Sequence, residues 1–111
     1  MSVKARNRAY TGTQLQEQIL DLAKVFGWQR AHFRAAMTKY GWRTPVSADG
    51  KGFPDLLLLR GRRMLTWECK SLSEKTTPDQ DAWLAAFAMI PGCDSRVVRC
   101  TDWEYIEEAL K

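Results

Sequence analysis

With 111 residues, 45% of them hydrophobic and 11% aromatic, the chain can bury the core of one domain, 1–111, and is too short for two. Its 17 Lys and Arg against 13 Asp and Glu leave a formal charge of +4, which favours an acidic partner, with nucleic acid first. Cys69, Cys93 and Cys100 are odd in number and show no CxxC spacing, and no apolar run is long enough to span a membrane; this argues against a disulfide framework, a cysteine zinc site or a membrane protein and for a reducing, cytoplasmic setting.

Residues 1–12, MSVKARNRAYTG, are expected to form a basic arm with no signal-type apolar run after it. Lys4, Arg6 and Arg8 there either touch phosphates or lie solvated at a frayed terminus. Leu15, Ile19, Leu22, Ala23 and Phe26 recur at helical spacing and predict a helix over 14–26, opened by Thr13 with Gln16 as a capping box and stopped at Gly27. Alternation in WQRAHFR, 28–34, predicts a short strand. Residues 35–52, with Gly41, Pro45, Gly50 and Gly52, are expected to form one long loop. Its Tyr40, Trp42, Arg43 and Lys51 suit a nucleic-acid backbone and exposed bases, or, for Trp42, a subunit contact.

The apolar runs at 56–59 and 64–71 predict a β-hairpin that turns around Gly61, with Arg60, Arg62 and Arg63 in solvent. Thr77 and Pro78 open a second helix whose Trp83, Leu84, Phe87 and Ile90 share a face, and Pro91 with Gly92 ends it. SRVVRC, 95–100, predicts a strand, and TDWEYIEEALK a terminal helix with Thr101 and Glu104 as its capping box. The order is helix, three strands, helix, strand, helix, without internal repeats or low-complexity tracts.

The charges in GFPDLLLLRGRRMLTWECKS, 52–71, carry the chemistry. In an extended strand Glu68 and Lys70 project together, while Leu65, Trp67 and Cys69 face the other way. Pairing about the turn brings Asp55 opposite the stretch from Glu68 to Lys70. Two carboxylates completed by a backbone carbonyl and waters suit Mg²⁺ or Mn²⁺ better than zinc. Such an ion lowers the pKa of bound water and braces a phosphate oxygen, with Lys70 orienting or deprotonating the water and offsetting growing charge. The alternative is a salt-bridged trio at a sheet edge. His32, the only histidine, has nothing nearby in sequence to complete a nucleophile or zinc arrangement, which favours a solvated or packed strand residue.

Pro54-Asp55 followed by Glu68-Cys69-Lys70 resembles the signature of the PD-(D/E)xK nuclease superfamily. LDLAKVFGW, AHFR, GKGFPDLLLLRG, WECKS, TTPDQDAWL and VVRCTDWEYIEEAL, in order along nearly the whole chain, resemble its VRR-NUC branch. The resemblance implies an α/β, restriction-endonuclease-like core of order αβββαβ plus a short C-terminal helix, with a central mixed sheet flanked by helices. It further implies an Mg²⁺- or Mn²⁺-dependent endonuclease acting on DNA, selective for branched or Holliday-junction-like structures, and a homodimer in a bacterial or phage-infected cell. On the same footing Asp55, Glu68 and the carbonyl of Cys69 hold the metal, Lys70 is the catalytic lysine, and Gln80 helps to set the site. Thr77 with Gln80 is also a capping box, a role that does not exclude the other.

One position departs from the family pattern. Relatives begin the first helix with a glutamate where this chain has Gly12. Glu17 points nearly opposite the apolar face of Leu15, Ile19, Leu22 and Phe26, whereas Gln16 lies one turn past Gly12 on roughly its side and is the better candidate to line the site. A neutral amide there weakens metal affinity relative to a carboxylate. Two alternatives therefore stand beside the nuclease: a DNA-binding module that keeps the fold with reduced or lost catalysis, and a structural domain in which the three charges only pair.

Overall fold

In the computed structural model the described residues are 11–33, 36–43 and 46–111; residues 1–10 of the expected basic arm, with Lys4, Arg6 and Arg8, and Arg34 in the first expected strand, lie outside them, while Thr11 and Gly12 of the arm belong to the start of the first helix. Helix α1 spans Gly12–Val25 and starts two residues earlier than its periodicity predicts. The capping box is Thr11 with Gln14, not Thr13 with Gln16: Thr11 Oγ1 accepts from the Gln14 N–H at 3.1 Å, and Gln14 Oε1 accepts from the Thr11 N–H at 2.8 Å. TGTQLQ offers the same Thr-to-Gln spacing twice, so capping chemistry does not choose between the registers. Packing does, because Gly12, Leu15, Ile19 and Ala23 are then the buried residues of the helix. Glu17 is exposed on the opposite side.

Strand β1, Gln29–His32, follows. The expected long loop holds a second hairpin, β2 at Ala36–Thr38 and β3 at Gly41–Arg43, paired with Met37 opposite Trp42. Gly41 lies at φ +99°, so the glycine that suggested irregular chain serves the turn. The predicted hairpin forms as β4, Leu56–Arg60, and β5, Arg63–Cys69, joined by the two residues Gly61 and Arg62, with Gly61 at φ +60°.

Helix α2, Pro78–Ala88, crosses over to β6, Cys93–Val98, which runs parallel to β5. The sheet order is β1-β4-β5-β6, antiparallel except for that last pair. Leu84 is the buried residue of α2, while Ile90 is 46% exposed and drops out of the expected apolar face because the helix ends before it. A short 3₁₀ turn, Cys100–Asp102, leads into α3, Trp103–Leu110. Asp102 Oδ2 accepts from the Arg99 N–H at 2.8 Å and fixes this entry, in place of the expected Thr101 and Glu104 box.

The protein is thus a compact α/β fold with a mixed four-stranded sheet and three helices. Leu56 and Leu58 of β4 join Leu65, Trp67 and Cys69 of β5 in one buried cluster with Leu15, Ile19 and Ala23 of α1 and Ile106 and Leu110 of α3. On the other face, α2 reaches β5 through Gln80, which meets Glu68. Among the described residues no helix is long and apolar enough to cross a membrane.

Arg60 and Arg63 are not solvated turn charges. Arg60 Nη1 donates to the carbonyls of Phe26 at 2.9 Å and Leu110 at 3.0 Å, and its guanidinium sits 4.5 Å from the Trp28 ring centre. Arg63 Nη2 donates to the Ala109 carbonyl at 2.5 Å and its guanidinium lies 5.1 Å from the same ring. Trp28 Nε1 donates in turn to the Leu110 carbonyl at 2.9 Å. The turn end of the hairpin therefore holds the end of α3, where orphan carbonyls need donors.

Candidate active site

The opposite end of the hairpin gathers the predicted charges. Leu56 pairs with Trp67, and one step outward Asp55 meets Glu68. Asp55 Oδ2 accepts from the Cys69 N–H at 2.9 Å, and its carbonyl accepts from the Phe33 N–H at 3.0 Å, so Asp55 is held between β1 and β5. Glu68 and Lys70 share a face, with Nζ 3.5 Å from Oε1. Glu68 is only 3% exposed.

The buried carboxylate is incompletely compensated. Glu68 Oε1 also accepts from Gln80 Nε2 at 3.0 Å, whereas Oε2 is buried and has no hydrogen-bond partner among the described residues. Burial first, and then the negative charge of Asp55, pushes the Glu68 carboxyl up to about 8 against the partial relief that Lys70 gives. Burial and the same two carboxylates push the Cys69 thiol well above its ordinary value. The thiol therefore stays protonated at neutral pH, and the backbone carbonyl is what Cys69 can offer a hard cation.

Gln80 makes both contacts open to it. Its Oε1 accepts from the Thr77 N–H at 2.9 Å, closing the capping box of α2, while its Nε2 holds Glu68. The start of α2 is fixed by the segment 46–53. Trp83 Nε1 is shared between the carbonyls of Asp49 at 3.0 Å and Lys51 at 3.1 Å. Gly52, at φ +84°, lies so close that a Cβ would come within 2.6 Å of the Asp79 carbonyl carbon. Phe53 packs edge-on against Phe33, Trp83 and Phe87, which anchors the chain just before Pro54 and Asp55.

Gly12 has a steric reason. A Cβ there would lie 2.9 Å from the Cys69 carbonyl oxygen, so the start of α1 rests directly on the end of β5 and has no room for a side chain. Gln16, one turn on, lines the cleft, and its Oε1 lies 2.6 Å from His32 Nε2, which donates to it. His32 reaches this place because it pairs with Leu56, the residue after Asp55. Local sequence around His32 contains no signal of this partnership.

These residues enclose a polar cleft of about 320 Å³. Asp55, Glu68, Lys70, Gln16 and Gln80 all line it, and so does Glu74 from the segment after β5, a residue that sequence reasoning passed over. Glu74 Oε1 accepts from the Ser71 N–H at 3.3 Å. Hydrogen bonding from Ser71 holds its carboxyl below the ordinary value, helped by the charges of Lys70 and Arg99. The one signal for it is position, four residues after Lys70 in a short polar link.

Among the described residues no three His, Cys, Asp or Glu side chains group together as a metal-holding set. The donor set is two carboxylates and a carbonyl, which is hard oxygen chemistry, and the orphaned buried Oε2 beside a second carboxylate fits a cation. In the β2–β3 hairpin Tyr40 and Trp42 are 72% and 63% exposed, and Lys39 Nζ lies 5.0 Å from the Tyr40 ring centre. No family model, no curated protein and no solved structure matches the chain.

Proposed function

We propose that the protein is a divalent-metal-dependent endonuclease of the PD-(D/E)xK type, VRR-NUC-like, that hydrolyses DNA phosphodiester bonds. The observation that carries this reading is the meeting of Asp55, Glu68 and Lys70 in one polar cleft where a buried oxygen of Glu68 lacks a partner. A purely structural trio would pair its polar atoms, because a buried polar atom without a partner is costly.

Asp55, Glu68 and the Cys69 carbonyl would hold Mg²⁺ or Mn²⁺. Bound there, the ion supplies positive charge that acidifies water and stabilises a phosphate oxygen. Lys70, kept in place by Glu68, directs its ammonium at the attacking water or at the oxygen on which charge grows. Gln80 holds Glu68 Oε1, so that Oε2 would be the oxygen free to meet the ion. Gln16, fixed by His32, presents an amide to the cleft wall. One such centre cuts one strand, so symmetric cleavage of a branched, Holliday-junction-like substrate calls for a homodimer. The formal charge of +4 supports a nucleic-acid partner.

The test is cleavage of supercoiled, flapped and four-way-junction DNA in Mg²⁺ or Mn²⁺, with Asp55→Ala and Lys70→Ala alongside. Metal-dependent cutting lost in both variants is the expected result; variants that cut as well as the parent would sink the proposal. A second reading, a DNA-binding module with reduced or lost catalysis, is favoured by one observation, the packing of Gly12 on Cys69, which shuts a carboxylate out of α1. DNA binding that persists without cleavage in either metal is its signature.

A further inference from the structure

We infer that Glu74, from the segment after β5, supplies through water the negative charge toward a divalent cation that the start of α1 withholds; the inference rests on the cation site of the nuclease reading. The steric argument comes first. A side chain at position 12 would collide with the Cys69 carbonyl, so the α1 wall contributes no carboxylate, and Gln16 there is neutral. Asp55 and Glu68, when ionised, carry two negative charges, and Lys70 returns one positive charge to the same cleft. A divalent cation is then left under-neutralised by its own surroundings. Glu74 lines that cleft and adds one negative charge to it.

The demand for such charge is independent of Glu74. Glu68 is 3% exposed and lines this cleft, and its buried Oε2 has no hydrogen-bond partner among the described residues. Glu74 does not join Asp55 and Glu68 as a third direct ligand, since no such three-membered group exists among the described residues. Its reach is therefore through a water layer, where one carboxylate still attracts a doubly charged ion.

The segment that carries it is built. Arg99 Nη1 donates to the Ser71 carbonyl, and the Ser71 N–H donates to Glu74 Oε1, so the carboxylate is tied to the end of β6 and to the end of β5 together. Arg99 and Lys70 are the cations that face Glu74. They add to the hydrogen bonding from Ser71 that holds its carboxyl below the ordinary value.

Mn²⁺ binding to the full-length protein, followed by the electron paramagnetic resonance of free Mn²⁺ at low ionic strength, tests this without DNA. Wild type, Glu74→Gln, Glu74→Asp and Asp55→Asn are compared, with melting temperature as the check on folding. Glu74→Gln should weaken binding about three- to tenfold, the size of one unit charge acting on a divalent ion across water, and added salt should shrink the difference. Glu74→Asp should bind nearly as wild type does, and Asp55→Asn should lose binding. If Glu74→Gln binds like wild type while Asp55→Asn does not bind, Glu74 has no such role and the cation site stands. A Glu74→Asp variant as weak as Glu74→Gln, with no salt dependence, would also overturn the inference, since charge would not be what matters. If wild type binds no Mn²⁺, the cation site falls and this inference with it.

Discussion

The β4–β5 hairpin carries charge at both ends, and the two ends treat it in opposite ways. At the turn, Arg60 and Arg63 spend their donors on the carbonyls of Phe26, Ala109 and Leu110 and lay their guanidinium planes near Trp28. At the open end, burial and the charge of Asp55 oppose ionisation of Glu68, and Glu68 Oε2 has no hydrogen-bond partner among the described residues. The first arrangement consumes its charge in holding the fold. The second leaves charge unspent where the chain has hollowed a polar cleft of about 320 Å³. Local rules broken without compensation inside the molecule are the mark of a place meant for something outside it.

The contrast can be broken most forcefully at Asp55. Asp55→Asn keeps an acceptor for the Cys69 N–H yet removes a charge that opposes Glu68. Metal-dependent DNA cleavage should fall by at least about 10³-fold, in line with the loss of a group that stabilises transition-state charge, while urea denaturation without metal should show equal or greater stability. A variant that loses stability and keeps its activity would exchange the roles of the two ends.

Glu68 gives the next effect in size. Folding raises its carboxyl from 4.5 to about 8, so between those values the folded protein holds a proton that the unfolded chain has released. Stability without metal is therefore fully present below about 4.5 and declines as pH rises through about 8. The loss is on the order of a few kcal/mol. Chemical denaturation at pH 6 and pH 9 should show it, Glu68→Gln should flatten the difference, and Mg²⁺ at pH 9 should restore stability by favouring the ionised form.

Arg60 is the counterpart at the other end. Arg60→Ala strips donors from the carbonyls of Phe26, Leu110 and Lys111 and a cation from the face of Trp28, which should cost about 2 kcal/mol in urea denaturation. Cleavage per folded molecule should be unchanged. The sequence showed three arginines in a turn and suggested solvent, which holds for the exposed Arg62 but misses Arg60 and Arg63, because their partners come from the ends of α1 and α3, far along the chain. The open end was legible for the converse reason: Asp55, Glu68 and Lys70 are brought together by a local hairpin whose register follows from its apolar alternation and its glycine turn. Glu74 and the His32–Gln16 pair were not legible, since each depends on elements meeting from separate parts of the chain. The β2–β3 hairpin was hidden by Gly41, read as a break in structure although its positive φ makes the turn.

Gly12 was noticed in the sequence as a missing carboxylate, and its contact gives the absence a different meaning. A side chain is not merely missing there, because the backbone of Cys69 at the end of β5 occupies the space through which it would leave. Gly12→Glu should consequently fail as a repair. The added Cβ would sit 2.9 Å from the Cys69 carbonyl oxygen, a backbone atom that cannot swing aside without moving β5. Gly12→Ala carries the same steric conflict without new charge and should cost about 1–2 kcal/mol net, because the overlap outweighs the roughly 1 kcal/mol that helix propensity alone would return. Shifting Cys69 also shifts the carbonyl proposed to face the metal, so both variants should bind Mn²⁺ more weakly than wild type. If Gly12→Glu instead bound Mn²⁺ more tightly at unchanged stability, α1 would have room to yield. The open end of the hairpin would then be limited by missing charge alone and not by the close approach of helix and strand.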